Sequence, residues 1–564
     1  MSKRRIYVLF SLFCLGSIVL IGRLVQLQVI DHVELNAMDL VRERIPVDTD
    51  PQRGGIYDRC GREMALSVQA PSAYLITKKS DSPDAALKAL ARLPWADKKR
   101  VREAYRSDKG FVWVHRRLNP DQKQCLDGLS LPEIEYIMET ERYYPNAELA
   151  AQVVGFVGID GKGLEGLEFH YDDFLNRTKQ PCIPECAGDS SSFSRKEHNL
   201  YLTIDMAVQF FADDALRRAC TEANAQHGLV IVMDTHTGGI IAMANWPGYN
   251  PNHFVDYPND YWRNRCVTDV YEPGSIFKLF WAAALLEEGL VRDHSIVFCE
   301  NGAIAIAGKK IRDHMKFGWL SFRQVIERSS NIGAIKYARE LGESRYYRYL
   351  RKFGFGEKTG IDFPGEATGI LRPPSNWSGL SMASIAIGQE VSVTPIQMIT
   401  AFASLVNGGN LMEPFLLKEI RASDGSVLFN RTPTAQKRVI SARTSEELKK
   451  ILQGVVERGT GQKAAVPGYS IGGKTGTAQM VDPATGEYSH QDFVASFVGF
   501  FPDQQARWAM LVMISQPRGT CWGGDVAAPV FGEVAARIIR YYHIPPGDND
   551  RPGKDRQLIV TAQF

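Results

Sequence analysis

Three short segments carry residue types that could do chemistry, and the first surrounds Ser275. In Glu272-Pro-Gly-Ser-Ile-Phe-Lys278, Pro and Gly precede the serine and a largely apolar stretch follows it. Residues three apart share one face of a helix, so the spacing predicts that the Ser275 hydroxyl lies beside the Lys278 amine. A serine becomes an effective nucleophile when a neighbouring base takes its proton. In isolation, however, the same spacing favours an ordinary helix cap.

The second segment places a hydroxyl and an amide two residues apart, at Ser329 and Asn331 in Glu327-Arg-Ser-Ser-Asn-Ile-Gly333. A hydroxyl can relay a proton, and an amide offers donors and an acceptor that can hold both a lysine and a substrate carbonyl. A turn or a helix cap is the alternative for this segment taken alone.

The third segment is Lys-Thr-Gly, which occurs at Lys358–Gly360 and again at Lys474–Gly476. The first copy runs into a Pro/Gly loop, whereas the second lies among small residues before a strand-like run. Glycines on a strand allow a substrate backbone to approach closely. The second copy is therefore the one expected to bind substrate, through Lys474, Thr475, Gly476 and Thr477.

Ser-x-x-Lys, Ser-x-Asn and Lys-Thr-Gly, in that order, resemble the motif set of penicillin-binding proteins and class A β-lactamases. The region from about Leu200 to Ile544 resembles a penicillin-binding transpeptidase domain. Two further segments, Arg53–Gly61 and Gly163–Glu168, resemble the signature boxes of the class B pedestal. The stretch before Ser275, with Glu ahead of Pro-Gly-Ser, resembles septal division enzymes, and an elongation-type enzyme is the alternative.

This resemblance implies a peptidoglycan D,D-transpeptidase that crosslinks stem peptides and binds β-lactams, without a metal or organic cofactor. It assigns Ser275 as nucleophile, Lys278 as general base, Ser329 as proton shuttle and Asn331 as the group that orients Lys278 and the substrate amide. The backbone N–H groups of Ser275 and Thr477 would form the oxyanion hole. Lys278 must be neutral to act, and burial together with the like charge of Lys474 would lower its pKa.

Three other functions compete with this interpretation. A β-lactamase would use the same serine and lysine but needs a base that activates water, and the pedestal is surplus to it. A β-lactam sensor would need a multi-helix signalling region, and a catalytically idle division scaffold would not be acylated. The lifetime of the acyl-enzyme distinguishes these possibilities.

Length and composition favour a globular chain of two or more folded units. The 564 residues exceed the size at which one core stops growing. Apolar residues make up 44% and charged residues 23%, which is ordinary for globular proteins. With 66 basic against 64 acidic residues, no overall field would recruit nucleic acid.

The N-terminus carries an uncharged apolar run from Ile6 to Gly22, just long enough to cross a bilayer. Because Lys3, Arg4 and Arg5 precede it, residues 1–5 are expected in the cytoplasm and the remainder outside. A transmembrane anchor over residues 6–27 is predicted, with a cleaved signal peptide as the alternative. A polytopic lipid II polymerase of the SEDS type and other division proteins are the partners that the resemblance implies.

The predicted architecture is α+β, with an irregular α/β pedestal at residues 28–198, a transpeptidase domain at residues 199–545 and a tail at 546–564. Early strands near 227–234 and 240–244 are expected to join later ones near 469–480, 493–501 and 508–514 in a five-stranded antiparallel sheet flanked by helices. A last helix is expected from about Val530 to Tyr542. Of nine cysteines, Cys182 and Cys186 are the closest candidates for a disulfide.

Overall fold

A computed structural model describes residues 13, 15, 17, 20–26, 53–79, 83–107, 110–176, 198–482, 485–502 and 506–546. The predicted cytoplasmic tail, most of the predicted anchor, Cys182, Cys186 and almost all of the C-terminal tail lie outside these residues. Within the described part, no helix has the length and apolar character needed to cross a membrane. The six cysteines described there are free thiols.

From residue 53 onward, the described chain forms two compact units. The smaller contains residues 67–143, and the larger contains Arg53–Leu66 together with everything from Tyr144. The predicted boundaries near residues 28 and 198 stay predictions. Of the predicted pedestal, the described residues 53–66 and those from Tyr144 onward cluster with the larger unit.

The smaller unit is a sheet with helices packed around its own apolar core. Its strands are the later part of Glu63–Leu75, Val112–His115 and Ile134–Tyr143; its helices are Pro83–Leu90, Lys98–Arg106 and Pro120–Asp127, with a 3₁₀ turn at Thr77–Lys79. The core includes Leu75, Leu90, Val101, Val114 and Leu126. Pro94 lies between the helices Pro83–Leu90 and Lys98–Arg106, in keeping with the inability of proline to continue a helical hydrogen-bond ladder.

The larger unit is built on a sheet of five strands in which every neighbouring pair is antiparallel. In spatial order the strands are Gly472–Val481, Tyr488–Phe501, Trp508–Ser515, His227–Asp234 and Ile240–Trp246. These are the two early and three late strands predicted from the sequence. The register sets Lys474 opposite Val498, and the strand that contains Lys474, hereafter the edge strand, lies at the border of the sheet.

Helices cover both faces of this sheet. Met206–Glu222 and the last helix, Gly523–Tyr541, bury one face with residues such as Leu216 and Phe531. Pro395–Val406 covers the other face and packs with Ala442–Glu457, within the largest core of the unit.

The remaining helices are Ala151–Val154, Gly166–His170, Asp172–Asn176, Arg265–Thr268, Lys278–Glu287, Phe322–Glu327, Asn331–Leu341, Glu343–Lys352 and Ser381–Ala386. The 3₁₀ turns are Pro251–Asp256, Asn259–Tyr261, Gly274–Phe277, Glu300–Gly302, Pro374–Asn376 and Gln462–Ala464. The remaining strands are Ile56–Tyr57, His198–Leu202, Ile296–Phe298, Ala303–Ile306, Lys309–Arg312, Trp319–Ser321, Asn410–Met412, Leu417–Ala422, Val427–Asn430 and Ala435–Arg438.

The last helix begins earlier than predicted, at Gly523 rather than near Val530, and passes through Pro529. The sequence-based start after the proline was wrong because tertiary contacts hold the preceding turn. A Cβ added at Gly523 would lie 2.2 Å from the Gly476 carbonyl oxygen, so this helix begins directly against the edge strand.

The two segments that resemble pedestal signature boxes bind each other through Arg53 and Glu168. Arg53 Nε donates to Glu168 Oε2 at 2.6 Å, and a second guanidinium nitrogen donates to the Glu168 carbonyl oxygen at 2.7 Å. Asp172 accepts from Arg53 at 2.6 Å as well. Because both Arg53 and Glu168 are buried, loss of either partner would leave an uncompensated buried charge and destabilise the fold.

Candidate active site

Ser275 lies in the 3₁₀ turn Gly274–Phe277, which leads directly into the helix Lys278–Glu287. Every residue of that helix from Lys278 to Leu286 is buried. A helix that is apolar all round must be surrounded by protein, and Asn331–Leu341, Glu343–Lys352 and Ala442–Glu457 pack against it. The Lys278 amine is therefore held at the end of a core helix, away from bulk water.

Glycines let the turn that carries Ser275 approach the edge strand. Gly274 has a φ of 58°, and a Cβ there would lie 3.0 Å from the Thr477 carbonyl oxygen. A Cβ at Gly476 would lie 2.3 Å from Ser496 Oγ and 2.9 Å from Ile276 Cγ1. Since Ile276 follows Ser275 directly, the absence of a side chain at Gly476 sets how closely Ser275 lies to the strand.

The second segment bends sharply between the helices Phe322–Glu327 and Asn331–Leu341. Ser330 is the helix cap, because its hydroxyl accepts from the Gly333 N–H at 3.1 Å. Ser329 precedes it with a φ of 56°, a left-handed conformation that costs energy for a residue other than glycine. The helix cap expected as an alternative thus falls on Ser330, while Ser329 and Asn331 are left to contact the lysines.

The Lys278 amine is held by that bend. It donates to the Ser329 carbonyl oxygen at 2.7 Å, to Asn331 Oδ1 at 2.7 Å and to Ser329 Oγ at 3.3 Å. Among the described residues, none forms a hydrogen bond with the Ser275 hydroxyl, and the predicted proximity of this hydroxyl to the Lys278 amine stays a prediction. Such contacts commonly tighten only when substrate is bound.

Lys474 reaches the same hydroxyl from the edge strand. Its amine donates to Ser329 Oγ at 2.9 Å and to the Thr475 carbonyl oxygen at 3.0 Å. Ser329 Oγ therefore accepts from two lysines, which occupies both of its lone pairs and leaves its own hydrogen available to donate. The three motifs meet at this one oxygen atom.

Burial governs the protonation of both amines. It lowers the pKa of Lys278 to about 7, against an opposing effect of the Asp313 charge. Burial also holds the pKa of Lys474 well below its ordinary value, and the Lys278 charge adds to that effect. The burial expected for Lys278 is confirmed. The like-charge repulsion between the two amines is mutual, so a charge on either amine disfavours a charge on the other.

A cavity of about 610 Å³ lies over these groups. Five of the predicted site residues line it: Ser275, Ser329, Asn331, Thr475 and Thr477. The other three lie behind its wall. Lys278 and Lys474 are fully buried, and Gly476 faces Ile276. No group of three His, Cys, Asp or Glu side chains that could hold a metal occurs in the described part of the chain.

The first Lys-Thr-Gly copy has a different environment. Its Thr359 donates from both N and Oγ1 to Glu366 Oε1 at 2.6 Å, so the segment is tied into a loop. None of its residues lines the cavity over Ser275. The structure therefore brings only the second copy to the other two motifs.

Several residues of the site carry no motif and were missed from the sequence. Thr460 Oγ1 lies 2.7 Å from Thr475 Oγ1, and the Gly523 N–H donates to Thr477 Oγ1 at 3.0 Å. Asp313 lines the cavity and bonds to the bend that contains Ser329. Their spacing along the chain gives no signal, because only tertiary folding brings them to the cleft.

Comparisons with known proteins agree on one family. The family model described as "Penicillin binding protein transpeptidase domain" matches residues 228–536. The model described as "Penicillin-binding Protein dimerisation domain" matches residues 48–177. Stage V sporulation protein D of Bacillus subtilis is 33% identical over 519 residues, covering 89% of this chain and 80% of that protein. Peptidoglycan D,D-transpeptidase FtsI of Escherichia coli K12 is 32% identical over 575 residues, covering 98% of this chain and 95% of that protein.

A solved structure is similar over almost the same extent. Penicillin binding protein 3 from Mycobacterium tuberculosis, complexed with aztreonam, superposes with a TM-score of 0.71 at 28% identity, covering 88% of this chain and 98% of that one. The transpeptidase match alone spans more than half of the chain. The protein therefore belongs to the class B penicillin-binding proteins and is an enzyme of their transpeptidase type.

Proposed function

We propose that this protein crosslinks peptidoglycan as a D,D-transpeptidase, with a covalent intermediate on Ser275, and that β-lactams acylate the same serine. Ser275 Oγ attacks the carbonyl carbon of the penultimate D-Ala of a stem peptide, and its proton passes to the neutral Lys278 amine. The peptide C–N bond breaks, and the terminal D-Ala leaves with a proton delivered through the Ser329 hydroxyl. The amine of a second stem then attacks the ester carbonyl carbon, and the C–O bond to Ser275 breaks. The proton lost by the amine passes to Ser275 Oγ, and the new amide is the crosslink.

One observation carries this proposal: Ser329 Oγ accepts from Lys278 at 3.3 Å and from Lys474 at 2.9 Å at the wall of the cavity that Ser275 lines. A neutral amine can serve as base near neutral pH, and the lowered pKa of Lys278, about 7, meets that requirement. A hydroxyl between two amines is suited to pass a proton to a leaving nitrogen.

Covalent labelling with a fluorescent penicillin tests the nucleophile. Wild-type protein should take up one label that survives denaturation, and Ser275→Ala should take up none. Labelling of purified, folded Ser275→Ala would refute the assignment. Wild-type protein without label would instead support the idle scaffold, and rapid loss of the label would support a β-lactamase.

The two Lys-Thr-Gly copies provide a matched control. Lys474→Ala removes a donor to Ser329 and should reduce the labelling rate on the order of 100-fold. Lys358→Ala removes the corresponding lysine from the loop copy, and its labelling rate should equal that of the wild type. Equal losses in both variants would contradict the choice of the second copy as the functional one.

We also propose a septal role and a single-pass anchor over residues 6–27, with the catalytic domain outside the membrane. The Glu272-Pro-Gly-Ser275 segment and the positive residues before the apolar run support these two points. An elongation-type role is the alternative. A tagged copy should concentrate at division sites; uniform labelling of the lateral wall would favour the alternative.

The anchor can be tested separately, by fractionation. Full-length protein should stay with membranes in high salt, while a chain that begins after residue 27 should be released; release of both would refute the anchor.

We further propose a polytopic lipid II polymerase of the SEDS type as partner, contacted through the anchor and pedestal. Co-purification of such a polymerase with the full-length chain, and its loss without residues 1–27, is the expected result.

A further inference from the structure

Asp313 joins two separate parts of the catalytic cleft. It follows the strand Lys309–Arg312 and lies at the N-terminus of the helix Asn331–Leu341. Its Oδ1 accepts from the backbone N–H groups of Asn331 and Ile332, the latter at 3.1 Å, and its Oδ2 accepts from Ser330 Oγ at 2.7 Å. Together with the Ser330 cap on Gly333, the carboxylate satisfies the first turn of that helix.

These bonds fix the bend that holds the general base. Ser329 keeps its left-handed backbone between two helices, and a strained conformation persists only where its surroundings determine it. The backbone N–H of Asn331 donates a hydrogen bond to Asp313. The side-chain oxygen of Asn331 accepts from the Lys278 amine at 2.7 Å. The side-chain nitrogen of Asn331 donates to the Arg312 carbonyl oxygen at 3.0 Å. The loop that contains Asp313 therefore binds both the backbone and the side chain of Asn331.

We infer that Asp313 is a positioning residue for acyl transfer: its carboxylate fixes the bend of Ser329 and Asn331, and its negative charge acts on the Lys278 amine. The inference rests on the proposed function. It concerns a residue outside the three motifs, and Asp313 needs no contact with the reacting atoms because it acts through Asn331 and through its charge.

The charge has a defined direction of effect. The charged or titratable groups that face Lys278 among the described residues are Asp313 and His314 from this loop and Lys474 from the edge strand. Of these, only Asp313 is negative, and it opposes the burial that lowers the Lys278 pKa. Without it, the neutral amine would persist to lower pH.

Two substitutions separate position from charge. In Asp313→Asn the amide oxygen can still accept from Asn331 and Ile332, and the amide nitrogen can donate to Ser330 Oγ, which has a second lone pair. This variant removes the charge with little change in geometry. Asp313→Ala removes both. Asp205→Asn is the control, since Asp205 is a buried cap of the helix Met206–Glu222, outside the cleft.

The measurement is the rate of acylation by a fluorescent penicillin across pH, with the thermal midpoint of each variant. The acylation rate should rise with pH to a plateau as Lys278 becomes neutral. Asp313→Asn should move this ascending limb of the profile to lower pH, and Asp313→Ala should lower the plateau rate on the order of 100-fold. Asp205→Asn should change the thermal midpoint alone. A merely structural role would not move the limb in Asp313→Asn.

An unchanged limb in Asp313→Asn, or a wild-type plateau in folded Asp313→Ala, overturns the inference while leaving the proposed function intact. If Asp313→Ala does not fold, the limb of Asp313→Asn decides. Wild-type protein that takes no label would refute the proposed function and this inference with it.

Discussion

Gly476 is the position where one added carbon should separate packing from chemistry. It lies on the edge strand between Thr475 and Thr477, and a side chain added there would face Ile276, the residue after Ser275. An alanine Cβ there would lie 2.3 Å from Ser496 Oγ, 2.9 Å from Ile276 Cγ1 and 3.1 Å from Ile276 Cδ1. The Ser496 hydroxyl can rotate, but Ile276 is fully buried and can yield only by moving the turn that contains Ser275.

The size of the effect follows from this geometry. Overpacking by one carbon in a close-packed core costs about 1–3 kcal/mol, and each kcal/mol lowers the thermal midpoint of a domain this size by about 2–4 °C. A shift of the nucleophile by a fraction of an ångström should add a loss of acylation on the order of tenfold or more. Gly476→Ala is therefore expected to have a lower thermal midpoint and, in the protein that stays folded, a lower acylation rate.

The assay is labelling of folded protein by a fluorescent penicillin, with thermal unfolding in parallel. Gly248→Ala is the matched control, because the nearest atom to its added Cβ is 3.8 Å away, in Glu148. It should retain the wild-type labelling rate. Unchanged labelling in Gly476→Ala would refute the argument that Gly476 positions Ser275 through Ile276.

Two further predictions concern protonation and the buried charge pair. The acylation rate should rise with pH through about 7, the pKa of Lys278, because only the neutral amine accepts the Ser275 proton; a rate that falls through this range would contradict the assignment of the base. Arg53→Ala should destabilise the protein by about 3–5 kcal/mol in urea unfolding, since it removes the guanidinium from buried Glu168. Arg443→Ala, which breaks an exposed pair with Glu447, should cost less than about 1 kcal/mol, and equal losses would refute the distinction.

The sequence by itself was enough to predict the candidate site residues and the strands of the sheet. Ser275, Lys278, Ser329, Asn331 and the second Lys-Thr-Gly could be chosen because each has a residue type and spacing suited to acyl transfer. The early and late strands of the sheet could be predicted because their apolar runs are bounded by turn residues. These signals are local, so they can be detected without knowing which segments meet.

The tertiary structure decided which contacts those residues make. It placed the carbonyl oxygen and the hydroxyl of Ser329 on the Lys278 amine, and it buried the Lys278 and Lys474 amines together. It also brought Asp313 to the Ser329 bend and Arg53 to Glu168, which lie 115 positions apart in the sequence. Hydrogen-bond partners and burial depend on segments far apart in the chain, and no local pattern of residues specifies them.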